Sequence, residues 1–143
     1  MTKKIEAFCE EDTYLLAEKL GRKACKGDIY CLDGDLGVGK TVFAKGFAKG
    51  LGINETVSSP TFTILKEYYE GRLPLYHFDV YRIAEPEEMY ELGYEEYFFG
   101  EGVCLIEWSE LISELIPKEA VHIRIEKDPD KGFNYRSIII EEK

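Results

Sequence analysis

What the chain lacks narrows it first. It has no run of about eighteen apolar residues, the length a bilayer-crossing helix needs. Met1-Thr2-Lys3-Lys4 leads into a polar helical pattern instead of the apolar stretch of a signal peptide, so a cytoplasmic protein without membrane association is expected. Cys9, Cys25, Cys31 and Cys104 fall at no zinc-like or CxxC spacing. Three of the four sit in apolar strand or helix patterns, which predicts thiols packed as small hydrophobes. His77 and His122 have no triad-like company and read as ordinary strand histidines. Asn54 and Asn134, the only asparagines, are in no NKxD guanine-reading motif, which disfavours a GTPase. Positive charge is also scarce: 28 acidic against 18 basic residues give a formal charge of -10, spread along the chain. Nucleic-acid affinity depends on Lys and Arg releasing condensed counterions, so tight, direct binding of RNA or DNA is disfavoured. The same charge also serves solubility.

What is present suffices for one core. At 143 residues and 45 % hydrophobic content, residues 1–143 read as a single domain. Ile5 to Phe8 suggests a short strand, and Asp12 is placed to cap a helix in which Leu16, Leu20 and Ala24 recur at intervals of four, with Gly27 ending it. Ile29 to Leu32 is a short apolar run before a glycine-rich loop. Phe43, Phe47 and Leu51 then mark one face of a helix stopped by Gly52. Ser58-Ser59-Pro60 signals a turn, after which residues 62–69 and 73–80 read as a hairpin around Glu70-Gly71. Pro86 suits the first turn of a short helix running to Leu92, with Gly93 beyond its end. Val103 to Ile106 reads as a second buried strand. The alternation of Val121, Ile123 and Ile125, then Asp128 to Gly132, then Tyr135 to Ile140 predicts a C-terminal β-hairpin. Early βα alternation with later antiparallel signals predicts an α/β fold, a mixed sheet flanked by helices.

The chemistry is concentrated in Gly34-Asp35-Leu36-Gly37-Val38-Gly39-Lys40-Thr41. It matches GxxxxGK[ST] at every fixed position and lies between a predicted strand and a predicted helix, as a P-loop requires. Glycines let backbone N–H groups converge on phosphate oxygens at the positive end of a helix. Lys40 would reach the β- and γ-phosphates of ATP, and the Thr41 hydroxyl would coordinate the Mg²⁺ bridging them. Gly39→Val would block the cradle sterically.

Such a Mg²⁺ ion still wants a carboxylate at the end of a neighbouring buried strand. Val103 to Glu107 is a continuous apolar run ending in an acid, whereas Leu75 to Asp79 ends likewise with alternating polarity. Glu107 is preferred for the metal. Asp79 is the second candidate, for orienting the attacking water or holding Mg²⁺ through one. Thr61 lies where related NTPases keep a loop that senses the γ-phosphate, though a plain turn fits the segment nearly as well. Trp108 suits either a partner contact or core packing. Tyr90, Tyr94 and Tyr97, at helical spacing, favour the core over a partner surface.

Three blocks go beyond a generic P-loop: GDLGVGKT, then SSPTFTILKEY, then YHFDVYRI followed by ELGYEEYFFGEGVCLIEW. In this order they resemble TsaE, formerly YjeE, a bacterial family of P-loop NTPase-like fold required for forming N6-threonylcarbamoyladenosine in tRNAs that read ANN codons. The resemblance spans residues 5–136. It implies that Leu36, Gly37, Val38, Gly39, Lys40 and Thr41 bind ATP, that Thr41 and Glu107 hold Mg²⁺, and that Asp79 and Trp108 occupy positions important for activity. It places the Glu10 region and the Gly132 turn against the nucleotide base. It also implies an ATPase that joins TsaD and TsaB and supports their turnover without transferring the group itself. tRNA would then be met only through the complex, in keeping with the acidic charge.

The competing enzyme is a small P-loop phosphotransferase. Such kinases clamp two phosphorylated ligands with several arginines, whereas this chain has Arg22, Arg72, Arg82, Arg124 and Arg136, of which Arg82 alone adjoins a proposed site segment. A nucleotide-gated binding module that hardly hydrolyses ATP is the non-enzymatic alternative.

Overall fold

Continuous burial of short β-branched and apolar runs makes the centre of the sheet. Ile29–Asp33 (β2) and Val103–Glu107 (β5) are buried at every position, as strands covered on both faces must be. A computed structural model of the chain describes residues 1–35, 37–57 and 64–142, and the readings made for Leu36, for the turn at Ser58-Ser59-Pro60 and for Thr61 lie outside the described residues. The remaining strands are Thr2–Ala7 (β1), Leu65–Tyr68 (β3), Leu75–Asp79 (β4), Val121–Lys127 (β6) and Arg136–Glu141 (β7). They form one sheet in the order β1-β7-β6-β2-β5-β4-β3. The four inner strands β6, β2, β5 and β4 are parallel, whereas β1, β7 and β3 pair antiparallel at the edges. Both expected hairpins are present, as β3–β4 and β6–β7.

Glu10–Lys23 (α1) and Lys40–Gly50 (α2) cover one face, packing Phe43, Phe47 and Leu51 onto Tyr30, Leu32, Val103, Leu105, Ile123 and Ile138. Glu88–Leu92 (α3) and Tyr94–Phe98 (α4) cover part of the other, where Met89, Tyr94 and Phe98 meet Cys31, Phe78, Cys104 and Ile106. Asp12 is not the cap of α1. Cys9 holds that position in extended backbone, and Asp12, three residues on, reaches back to accept the Phe8 N–H at 2.9 Å. Gly93 has φ +70° between α3 and α4, the left-handed conformation its place beyond the first helix anticipated.

The packed-cysteine reading holds for two residues. Cys31 and Cys104 are buried, and burial pushes both thiols up to about 12, whereas Cys9 and Cys25 are exposed. The tyrosine stripe also divides: Tyr94 is buried and Tyr97 half-buried, but Tyr90 is exposed.

Candidate functional site

The site assembles where β2, β4 and β5 end. Gly34 follows β2 directly, and Gly37, Val38 and Gly39 lead into α2, whose N-terminal N–H groups carry the positive end of the helix dipole. Gly39 has φ +108°, which side chains disfavour, and beyond its chain neighbours a Cβ built on it would meet none of the described residues within 4 Å. Gly39→Val would therefore strain the backbone, and its side chain would enter space open to a ligand, in keeping with the expected block of the cradle. Val38 is buried, and its carbonyl accepts the Arg136 Nε–H at 2.8 Å, which ties the loop to the start of β7.

Lys40 donates from Nζ to the Gly34 carbonyl at 2.7 Å and lies 3.9 Å from the centre of the Trp108 ring. Burial pushes the Lys40 ammonium below the usual lysine range, against the opposing pull of Glu107, Asp79 and Asp33. Thr41 follows, exposed, at the first turn of the helix.

Parallel pairing of β4 with β5 sets Asp79 opposite Glu107. Glu107 is buried at 3 % exposure and its Oε2 lies 2.6 Å from Nε2 of His77, itself wholly buried. Asp79 accepts the Tyr81 N–H at 3.0 Å. Burial raises its carboxyl above the usual range; Glu107 adds to the rise, whereas the Tyr81 amide, His77 and Lys40 oppose it. Trp108 has φ +63°, the one non-glycine residue with positive φ among the described residues. Asp33 secures the turn that follows, accepting the Ser109 N–H at 2.9 Å and its hydroxyl at 2.8 Å. Tyr81 lies against the indole, their ring centres 4.8 Å apart. The half-buried Trp108 thus belongs to the lysine's surroundings.

This strand order and loop have clear relatives. The family model described as Threonylcarbamoyl adenosine biosynthesis protein TsaE matches residues 8–138. The chain belongs to the TsaE family. The "tRNA threonylcarbamoyladenosine biosynthesis protein TsaE" of Bacillus subtilis is 53 % identical over 120 residues, covering 84 % of this chain and 75 % of that protein. Its counterpart of the same name in Treponema pallidum is 45 % identical over 115 residues, covering 80 % of this chain and 84 % of the other. The crystal structure of Bacillus subtilis YdiB superposes with a TM-score of 0.86 at 44 % identity, over 99 % of this chain and 86 % of that one. The P-loop NTPase-like fold follows from that match.

The two ends of this TsaE-family chain converge beside the loop. Tyr135 donates its hydroxyl to Glu6 at 2.8 Å and packs edge-on against Phe8, with ring centres 5.6 Å apart, just before α1 begins. Glu10 stands exposed in the first turn of α1. Gly132, with φ +119°, follows the 3-10 turn Pro129–Lys131. Between the loop and β6, Asp35, Val38, Arg124, Ile125, Glu126 and Lys127 line a cavity of about 330 Å³.

Two residues of the site escaped the sequence reading. His77 is no ordinary strand histidine, and its signal was its place two residues before Asp79, hence on the same face of β4. Asp33 had a weaker one, as the last residue of β2 before the loop. Among the described residues no group of three or more His, Cys, Asp or Glu side chains stands ready to hold a metal alone.

Proposed function

We propose that this chain is an Mg-dependent ATPase of tRNA threonylcarbamoyladenosine biosynthesis, acting in the cytoplasm with TsaB and TsaD and meeting tRNA only through them. The observation that carries the reading is the P-loop opening α2 with Lys40 and Thr41 while Asp79 and Glu107 face one another on the adjoining strand ends. No helix among the described residues is long and apolar enough to cross a membrane. Residues 36–41 would cradle the phosphates, and Lys40 would exchange the Gly34 carbonyl for phosphate oxygens. Thr41 and Glu107 would hold Mg²⁺, which when bound neutralises charge on the β- and γ-oxygens. Asp79 would orient the attacking water. Glu10 and the Gly132 turn would flank the base, and Thr61 would sense the γ-phosphate.

Hydrolysis by the isolated chain is expected to be slow, because four of its five arginines pair within the chain and no arginine finger is clearly placed, Arg82 being the one that could make a partner's help unnecessary. Arg22 pairs with Glu18 at 3.0 Å, Arg124 lies 3.8 Å from Glu110, and Arg136 holds Val38. Arg72 donates to the Gly21, Arg22 and Ala24 carbonyls at 2.8 Å each, capping the C-terminus of α1. Arg82 is exposed beyond β4. Charge-neutralising or loop-ordering groups supplied by a partner accelerate P-loop hydrolysis by about a thousandfold or more when an arginine is provided in trans. The test measures phosphate release with and without a TsaB–TsaD complex, with Lys40→Ala as the background control. Stimulation of the wild type and loss of hydrolysis and ATP affinity in Lys40→Ala are expected. Fast, partner-independent hydrolysis, or a Lys40→Ala variant as active as wild type, refutes the reading.

A further inference from the structure

The face of β4 and β5 that looks onto α2 presents Leu75, His77 and Asp79 on one strand and Val103, Leu105 and Glu107 on the other. His77 is the misfit in that row, a polar side chain at 0 % exposure two residues back from the strand end. A carboxylate can only accept, so at 2.6 Å from Glu107 Oε2 the donor is Nε2–H. The other ring nitrogen, Nδ1, is buried without a hydrogen-bond partner among the described residues. An apolar side chain of similar size would fill this position without stranding Nδ1, so packing alone does not account for an imidazole here. Its one side-chain hydrogen bond among the described residues is to the carboxylate at the end of β5.

We propose that His77 is the positioning residue of Glu107: its Nε2–H holds Oε2 of that carboxylate and so commits Oε1 to the loop side, toward Lys40 and Thr41. The inference rests on the Mg-ATP reading above and deepens it. A glutamate at a strand end has three side-chain torsions to lose before it can serve as a metal ligand, and a hydrogen bond to the oxygen facing away from the metal removes that freedom in advance. His77 touches no reacting atom. Its effect passes through Glu107 alone.

The test pairs His77→Leu, which fills the volume without a donor, with His77→Gln, whose amide N–H reaches the place of Nε2. In His77→Leu the turnover number should fall and the Mg²⁺ concentration for half-maximal activity should rise, each by about 10- to 100-fold, the usual cost of losing such an orienting partner. Metal-free ADP affinity should stay within about twofold, because it does not report the carboxylate, whereas the KM for ATP should rise together with the Mg²⁺ requirement. Mn²⁺ binding to the nucleotide complex, read by electron paramagnetic resonance, should weaken in parallel, and His77→Gln should restore most of each loss. A His77→Leu chain with wild-type Mg²⁺ and Mn²⁺ dependence overturns the proposal, as does a His77→Gln chain no better than His77→Leu. Should the leucine variant not fold, the wild type still decides: a slowly exchanging imidazole Nε2–H resonance should be present and should be lost in Glu107→Ala. Its absence from folded wild type overturns the contact. A wild type that shows the resonance but binds no Mg-nucleotide overturns instead the ATPase reading and the metal role of His77 with it.

Discussion

Glu107 and Asp79 are neighbours in register, yet their surroundings differ. Glu107 is held by the imidazole of His77 and is almost wholly buried, whereas Asp79 is half-buried and bonded to the backbone of the turn that follows it. A buried carboxylate in fixed orientation suits a metal ligand, and a partly exposed one suits contact with a water. Glu107→Ala is accordingly expected to weaken the Mg²⁺ dependence and the hydrolysis rate far more than metal-free ADP binding, while Asp79→Ala lowers the rate with a near-normal Mg²⁺ requirement. Titrating Mg²⁺ in single-turnover hydrolysis and measuring ADP binding in chelator checks both. The reverse pattern would exchange the two roles.

At the scale of the element, the loop is only as well placed as α2, and α2 is seated by close approach to α1. A Cβ added to Gly46 would stand 2.4 Å from the Tyr14 carbonyl oxygen, and one added to Gly50 would stand 2.2 Å from that of Glu18. Backbone atoms cannot swing aside as a flexible side chain can, so the helices would have to separate. Gly46→Ala should therefore destabilise the chain by about 1–3 kcal/mol, despite alanine's better helix propensity. The expected readout is a lower midpoint in chemical denaturation with an unchanged slope. An unchanged or raised midpoint would show that the helix contact is not the constraint. Gly46 looks unremarkable in the sequence, because a residue's crowding by another helix leaves no local mark. The caps, by contrast, are local, and Gly93 was legible for that reason.

For the whole molecule, the charge of -10 sets what it can meet unaided. Acids outnumber bases 28 to 18, so the overall field repels a phosphate backbone, and four of the five arginines also pair with carbonyls or carboxylates of the chain itself. In a mobility-shift or anisotropy titration with labelled tRNA at physiological salt, the chain alone should give no saturable binding, and it should join the tRNA-bearing species only when TsaB and TsaD are present. Salt-sensitive, saturable binding by the isolated chain would show that its charge distribution hides a basic surface.

The sequence alone determined the glycine-rich motif, the strand before it and the helix after it, both hairpins and the two strand-end acids. Each of these is written in local spacing: a glycine pattern, a period of two, or an apolar run ending in a carboxylate. Membership of the TsaE family rested on several such blocks in a fixed order. Only the tertiary structure brought His77 to Glu107, Asp33 to the turn after Trp108, and Arg136 to the back of the loop. It alone separated the buried Cys31 and Cys104 from the exposed Cys9 and Cys25. These pairings join residues 30, 76 and 98 positions apart. They depend on which strands lie side by side and which face each side chain takes, and strand order in a mixed sheet is decided by how the helices cover it.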